Sequence, residues 1–402
     1  GNGVILQDDG TTGNAVQGNF IGTDATGGAA LGNGLNGVSL LASGNTIGGA
    51  TAGAGNVLSA NARGIAGADL SSGLIAGNRI GTTASGAAAL GNSDVGVRLD
   101  DSTGVTVGGS VPAARNVISG NGGNGLELNG GGQHLVRGNR IGTNAAGTAA
   151  LPNAGNGIDV AGSAGNRVGG GAKTRNLISG NAVAGVFVHD PGSTGNRIAS
   201  NFIGTDAKGT AALGNAKAGV QILDASGNTV GGPTKPAGNR IEFNRGRGIV
   251  IDDPDDPATE NALRRNLLFH NGALGIDLGA DGPDANDAHD ADAGPNGHQN
   301  FPVIHLASTA HGRTEIHLTL SSTAKTAFVV ELFSNTACDP SGFGEGQAFV
   351  VSKTITTDAS GAATLAFSRF PAVPVGRFLT ATATDPNGNT SELSRCLRVT
   401  DG

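Results

Sequence analysis

Along the first 280 residues the apolar positions come in short beats, and the beats repeat. A glycine followed by alternating aliphatic residues occurs at Gly3, Gly37, Gly96, Gly125, Gly157, Gly185, Gly219, Gly248 and Gly275, with a degenerate copy at Gly64. Successive copies lie 27 to 34 residues apart, with two further apolar beats between each pair. Each period therefore holds three short strands. One kind of period reads Ile158-Asp159-Val160, then Asn166-Arg167-Val168-Gly169-Gly170, then Asn176-Leu177-Ile178-Ser179-Gly180-Asn181. The other reads Leu126-Glu127-Leu128, then His134-Leu135-Val136-Arg137, then Asn139-Arg140-Ile141-Gly142-Thr143. The two alternate, so the most recognisable stretch, beginning Gly18-Asn19-Phe20-Ile21-Gly22-Thr23, returns from Gly77, Gly138 and Ser200 at offsets of 59, 61 and 62 residues.

Self-similarity at such a period is the signature of a solenoid. Three strands per period with Gly and Asn at the corners predict a parallel β-helix. Gly takes the left-handed backbone conformation of a sharp corner freely, and Asn takes it less readily. Asn side chains stacked at equivalent corners can hydrogen-bond along the axis. About ten coils rising roughly 4.8 Å each predict a rod near 50 Å long. A β-sandwich built of hairpin meanders is excluded, because single Gly-Asn corners are too short to join its strands.

The pattern stops after Gly279. Residues 281–300 read as an acidic junction loop, and residues 301–402 as an ordinary all-β domain. Eight of the 13 Phe but only eight of the 72 Gly lie in that last segment. Alternating runs at Glu315–Leu320, Phe328–Phe333 and Phe378–Ala383, separated by turns such as Asp385-Pro386-Asn387-Gly388, predict a small immunoglobulin-like β-sandwich. The expected division is thus a β-helix over 1–280, the junction, and the sandwich.

Composition narrows the function classes. Gly at this level without a three-residue period excludes collagen, and regular aliphatic beats exclude disorder. No run approaches the roughly 18 apolar residues of a membrane helix, so membrane insertion is not expected. A net charge of −7 gives no general electrostatic reason to expect nucleic acid as a partner. The chain starts in mid-repeat, and an upstream portion carrying any export signal is expected. Both cysteines, Cys338 and Cys396, fall in the last domain, which suggests a disulfide and an oxidising compartment; two unrelated buried thiols are the other reading.

Candidate chemistry lies in two places. The outward positions of the first strands stack into a ladder of Ser39, Ala66, Arg98, Glu127, Asp159, Phe187, Gln221, Val250 and Asp277. Beside it runs a second ladder of Asp100, Asn129, Ala161, His189, Leu223 and Asp252. Glu127 and Asp159 fall on adjacent rungs, with Arg98 before them and His189 after. Two close carboxylates fit the acid/base and nucleophile of a retaining glycosidase, and an Arg beside them could neutralise a uronate in a lyase. The other reading is a polar strand face on which Arg98 relieves carboxylate repulsion. Interruption by Phe187 and Val250, the absence of Tyr and Trp, and the lack of a ladder Lys favour that second reading.

The junction is the second place. Asp284, Asn286, Asp287, Asp290 and Asp292 offer oxygen ligands to one hard cation such as calcium, with Gly294 permitting a tight turn. A solvated acidic linker is the alternative. His289 and His298 flank the loop, but two His without Cys do not make a zinc site.

Stretches such as Ile21-Gly22-Thr23-Asp24, Ala29-Ala30-Leu31-Gly32-Asn33, Asn45-Thr46-Ile47-Gly48-Gly49 and Asn116-Val117-Ile118-Ser119-Gly120-Asn121 resemble bacterial right-handed parallel β-helix repeat proteins, similar in architecture to the pectate-lyase superfamily. Gly275–Gly279, the acidic loop and Gln299-Asn300-Phe301-Pro302 resemble the element that closes such helices. Residues 381–392 resemble the bacterial immunoglobulin-like domain that often follows. The resemblance implies right-handed coils, consistent with the general rule for parallel crossovers. It also implies a secreted or cell-surface location. The expected function is a structural or adhesive one, a rigid rod able to associate end to end through an uncovered sheet edge. The rival is a polysaccharide lyase, glycoside hydrolase or polysaccharide binder using Arg98, Glu127, Asp159 and His189.

Overall fold

The computed structural model describes the backbone of all 402 residues and the side chains of all but residues 368–371. Residues 4–278 wind into three parallel sheets of ten, nine and nine strands, giving nine complete coils and the first strand of a tenth. The last coil stops at Ile276–Leu278, where the chain leaves for the acidic loop.

The strands are short because each corner is short. The third strand of every coil contributes one inward aliphatic residue, and Leu58, Ile80, Ile118, Ile141, Ile178, Ile203 and Ile241 form a fully buried column. The first strands supply two such columns, among them Val97 and Leu99, Leu126 and Leu128, and Ile158 and Val160. A dry aliphatic core in register from coil to coil is the largest favourable contribution to the fold.

Asparagine joins the coils at the corners. Between the second and third sheets Asn19, Asn56, Asn78, Asn116, Asn139, Asn176, Asn201, Asn239 and Asn266 each pass a side-chain amide hydrogen bond to the next, at 2.9–3.1 Å. A second column runs from Asn33 through Asn92 and Asn153 to Asn271. In alternate coils the residue before the Asn is left-handed: Gly138 has φ +72°, and an added Cβ there would meet the Gly109 carbonyl. Two coils place Ser200 and Arg265 in that strained position. His134 occupies an Asn position at the remaining corner; its Nδ1 accepts from the Val105 N–H at 3.2 Å, and burial pushes its pKa down to about 4.

The opening motif is the third strand and long corner of alternate coils. Its loops stack on one another through Ala84 N–H to Gly27 O, Ala145 N–H to Gly86 O, and Ala207 N–H to Gly147 O. They serve packing.

Beyond residue 300 two four-stranded, mostly antiparallel sheets share one apolar core that includes Ile316, Leu318, Phe328, Val330, Leu332, Leu365 and Leu379. Cys338 and Cys396 form a disulfide, with Cα atoms 6.1 Å apart. This segment covers the last coil. Phe333 and Leu393 join the solenoid core. Glu331 accepts hydrogen bonds from the Arg264 side chain and the Arg265 N–H, and Thr390 Oγ1 accepts from the Leu263 N–H at 3.0 Å. An open sheet end invites association; here that end is closed. Among the described residues, no helix is long and apolar enough to cross a membrane.

Candidate functional site on the first sheet and at the junction

Strand register decides which side chains meet. Arg98 pairs with Glu127, Glu127 with Asp159, and Asp159 with Phe187; on the neighbouring ladder Asp100 pairs with Asn129, and Ala161 with His189. Inward Leu99, Leu128 and Val160 anchor these strands, so alternation points the charged residues outward. The four candidates therefore lie on one continuous face.

Each is already engaged. The Arg98 guanidinium donates to Asp100 at 2.9 Å and reaches Glu127 at 3.4 Å. Glu127 also accepts from the Asn124 amide at 2.8 Å. Asp159 accepts from the Asn156 amide at 2.8 Å and pairs with His189 Nε2 at 3.1 Å. His189 Nδ1 meets Asp190 at 3.0 Å, and its ring stacks on Phe187 with centroids 4.4 Å apart. At the end of the ladder Asp277 is paired with Arg247.

The electrostatics follow from these contacts. Burial pushes the Glu127 carboxyl above its usual range, and nearby Asp159 adds to this against the opposing Asn124 and Arg98. The hydrogen bond to Asp159 lifts His189 above the ordinary imidazole value despite burial. Burial would raise Asp100, but Arg98 and Asn129 outweigh it and hold the carboxylate low. Burial of this kind is one way a carboxyl is fitted to act as a general acid. Here, however, it sits in a hydrogen-bonded row along a strand face. The sequence reading missed the partners Asn124 and Asn156, although each lies three residues before the carboxylate it serves.

At the junction the five expected ligands separate. Asp287, Asp290 and Asp292 come together, with one oxygen from each within 4.8 Å of the others. Asp284 is held apart by His298 Nδ1 at 2.7 Å, and its N–H donates to Glu392 at 3.0 Å. Asn286 is bound on both sides by the Phe301 backbone, at 2.8 and 3.0 Å. Asp290 accepts from the Asn300 N–H and the Ser322 hydroxyl, each at 2.6 Å. Burial raises the Asp290 and Asp292 carboxyls, and Asp287 adds to both.

Coils of three parallel strands around an aliphatic core, repeated nine times, define a parallel β-helix repeat protein. The family model described as the right handed beta helix region matches residues 92–287, which hold the whole first-sheet cluster and give the coil its hand. No curated protein matches the chain.

Proposed function

We propose that the protein is a structural rod, secreted or displayed at a cell surface, with the C-terminal immunoglobulin-like segment as its cap and spacer. The observation that carries this reading is that the charged side chains of the first face are engaged with one another. The Arg98–Asp100–Glu127 row and the Asp159–His189–Asp190 row hold neighbouring coils in register, as polar cross-strand pairs do. The disulfide between Cys338 and Cys396 supports an oxidising compartment. End-to-end association of such rods through an uncovered sheet edge belongs to the same proposal. Sedimentation over a wide concentration range checks it, and a strict monomer throughout contradicts it.

Calcium bound by Asp287, Asp290 and Asp292 belongs to the same proposal, as a brace between the last coil and its cap. Added calcium should raise the melting temperature and EDTA should reverse the rise; no response to either removes the cation.

Incubation with a panel of neutral and acidic polysaccharides tests the rod reading. It expects no new reducing ends and no unsaturated products. Product formation that disappears in Glu127→Gln or Asp159→Asn would replace the rod with a carbohydrate-active enzyme.

A further inference from the structure

The second sheet carries the opposite charge arrangement. Arg137, Arg167 and Arg197 line one open groove of about 710 Å³. Arg167 and Arg197 are register partners on adjacent rungs; on the rung before them Leu135 pairs with Arg167, and Arg137 sits two residues further along its strand. Inward Val136, Val168 and Ile198 are buried in the core, which turns the three arginines outward. Across the corner formed by residues 170–175, a second hollow of about 150 Å³ is lined by Arg115, Arg140, Lys173 and Arg175.

No acidic residue lines either hollow. Among the described residues, Arg137, Arg140, Arg167, Lys173 and Arg197 have no side-chain hydrogen bond or ion pair. The Arg137 Nε is buried without a partner. Arg115 and Arg175 donate to the carbonyls of Gly138 and Ser200, and the Arg175 guanidinium lies over the Phe202 ring at 3.8 Å. Burial, with Arg115 and Arg79 nearby, pushes Arg140 down to about 10. Exposed arginines are ordinary singly. Seven cations from a total of 25, gathered in a protein of net charge −7 with no neutralising carboxylate, are not.

We propose that this groove binds an extended acidic glycan, one bearing carboxylate or sulfate groups. Three features favour that ligand. The planar guanidinium fork pairs with both groups through two parallel hydrogen bonds. The rise between rungs, about 4.8 Å, is close to the length of one pyranose unit, so the register pair Arg167 and Arg197 meets successive sugars. The lining of the Arg137–Arg167–Arg197 groove contains no aromatic side chain, whereas non-specific binding of single-stranded nucleic acid relies on aromatic platforms for its bases. The site lies on a different face from the first-sheet carboxylates and stands whether or not the rod reading does.

Isothermal titration of the full chain with four probes tests it: a heparin fragment, an oligogalacturonate, a neutral glucan oligomer and a homopolymeric oligodeoxynucleotide. One or both acidic glycans should bind, more weakly as salt rises, and the pair distinguishes sulfate from carboxylate recognition. Arg137→Gln, Arg167→Gln and Arg197→Gln together should weaken binding about tenfold or more. Arg63→Gln, which alters an exposed pair with Asp94 on the first face, should leave it unchanged. The circular-dichroism melt of the triple variant confirms folding; if that variant does not fold, Arg167→Gln alone replaces it. The proposal fails if neither acidic glycan binds, if binding survives the substitutions, or if the glucan or the oligonucleotide binds equally well at the same salt.

Discussion

The first sheet and the corner between the second and third sheets are built on the same coils, yet they handle charge in opposite ways. On the first sheet Arg98, Asp100, Glu127, Asp159 and His189 are joined by contacts of 2.9–3.4 Å. Around the corner, Arg137, Arg167 and Arg197 stand one coil apart and bind nothing in the chain. A row of partnered charges stabilises register; a row of like charges costs stability and persists where something outside the chain completes it. The proposals above accordingly give the recognisable acidic face the structural role and the arginine face the ligand.

The most damaging change would remove the scaffold both faces share. Asn139→Leu deletes the link between Asn116 and Asn176 and leaves the Val107 carbonyl without its partner. A cost of about 3 kcal/mol is expected from the unsatisfied groups, read by chemical denaturation, with glycan affinity lost only where the protein unfolds. A smaller effect isolates the first face. His189 is lifted above the ordinary imidazole value, so its stabilising bond to Asp159 is complete below about pH 6.5 and is lost as the pH rises through the higher folded value. Melting temperature should fall across that window more steeply in the native protein than in His189→Gln.

Smaller still is Arg98→Gln, which removes the pairing of two partly exposed carboxylates and should cost about 0.5–1 kcal/mol. Arg167→Gln, at the bottom of the scale, removes one of two adjacent cations without a partner. Its expected effect is within about 0.5 kcal/mol of zero or slightly stabilising, checked in the same denaturation series.

What the amino-acid pattern revealed depended on range. The coil was legible because its determinants are local: a Gly that turns left-handed, an Asn after it, and an aliphatic residue pointing in. The same alternation placed Arg98, Glu127, Asp159 and His189 on their rungs. The junction was not legible. Asp284 is held by Glu392, 108 residues away, and Asn286 by the Phe301 backbone. The arginine groove left a signal in Asn166-Arg167 and Asn196-Arg197, an Arg after a corner Asn with no acid on the matching rung. Its meaning depends on which corner each Arg flanks, and only the folded coil supplies that.

The most direct test of the contrast between the faces is a side-by-side thermal melt of two charge-neutralised variants. The account predicts that Glu127→Gln with Asp159→Asn lowers the melting temperature by about 2–4 °C, while Arg167→Gln with Arg197→Gln leaves it unchanged or raises it. If the arginine variant is the destabilised one and the carboxylate variant melts like the native protein, the structural and ligand-facing roles assigned here are reversed.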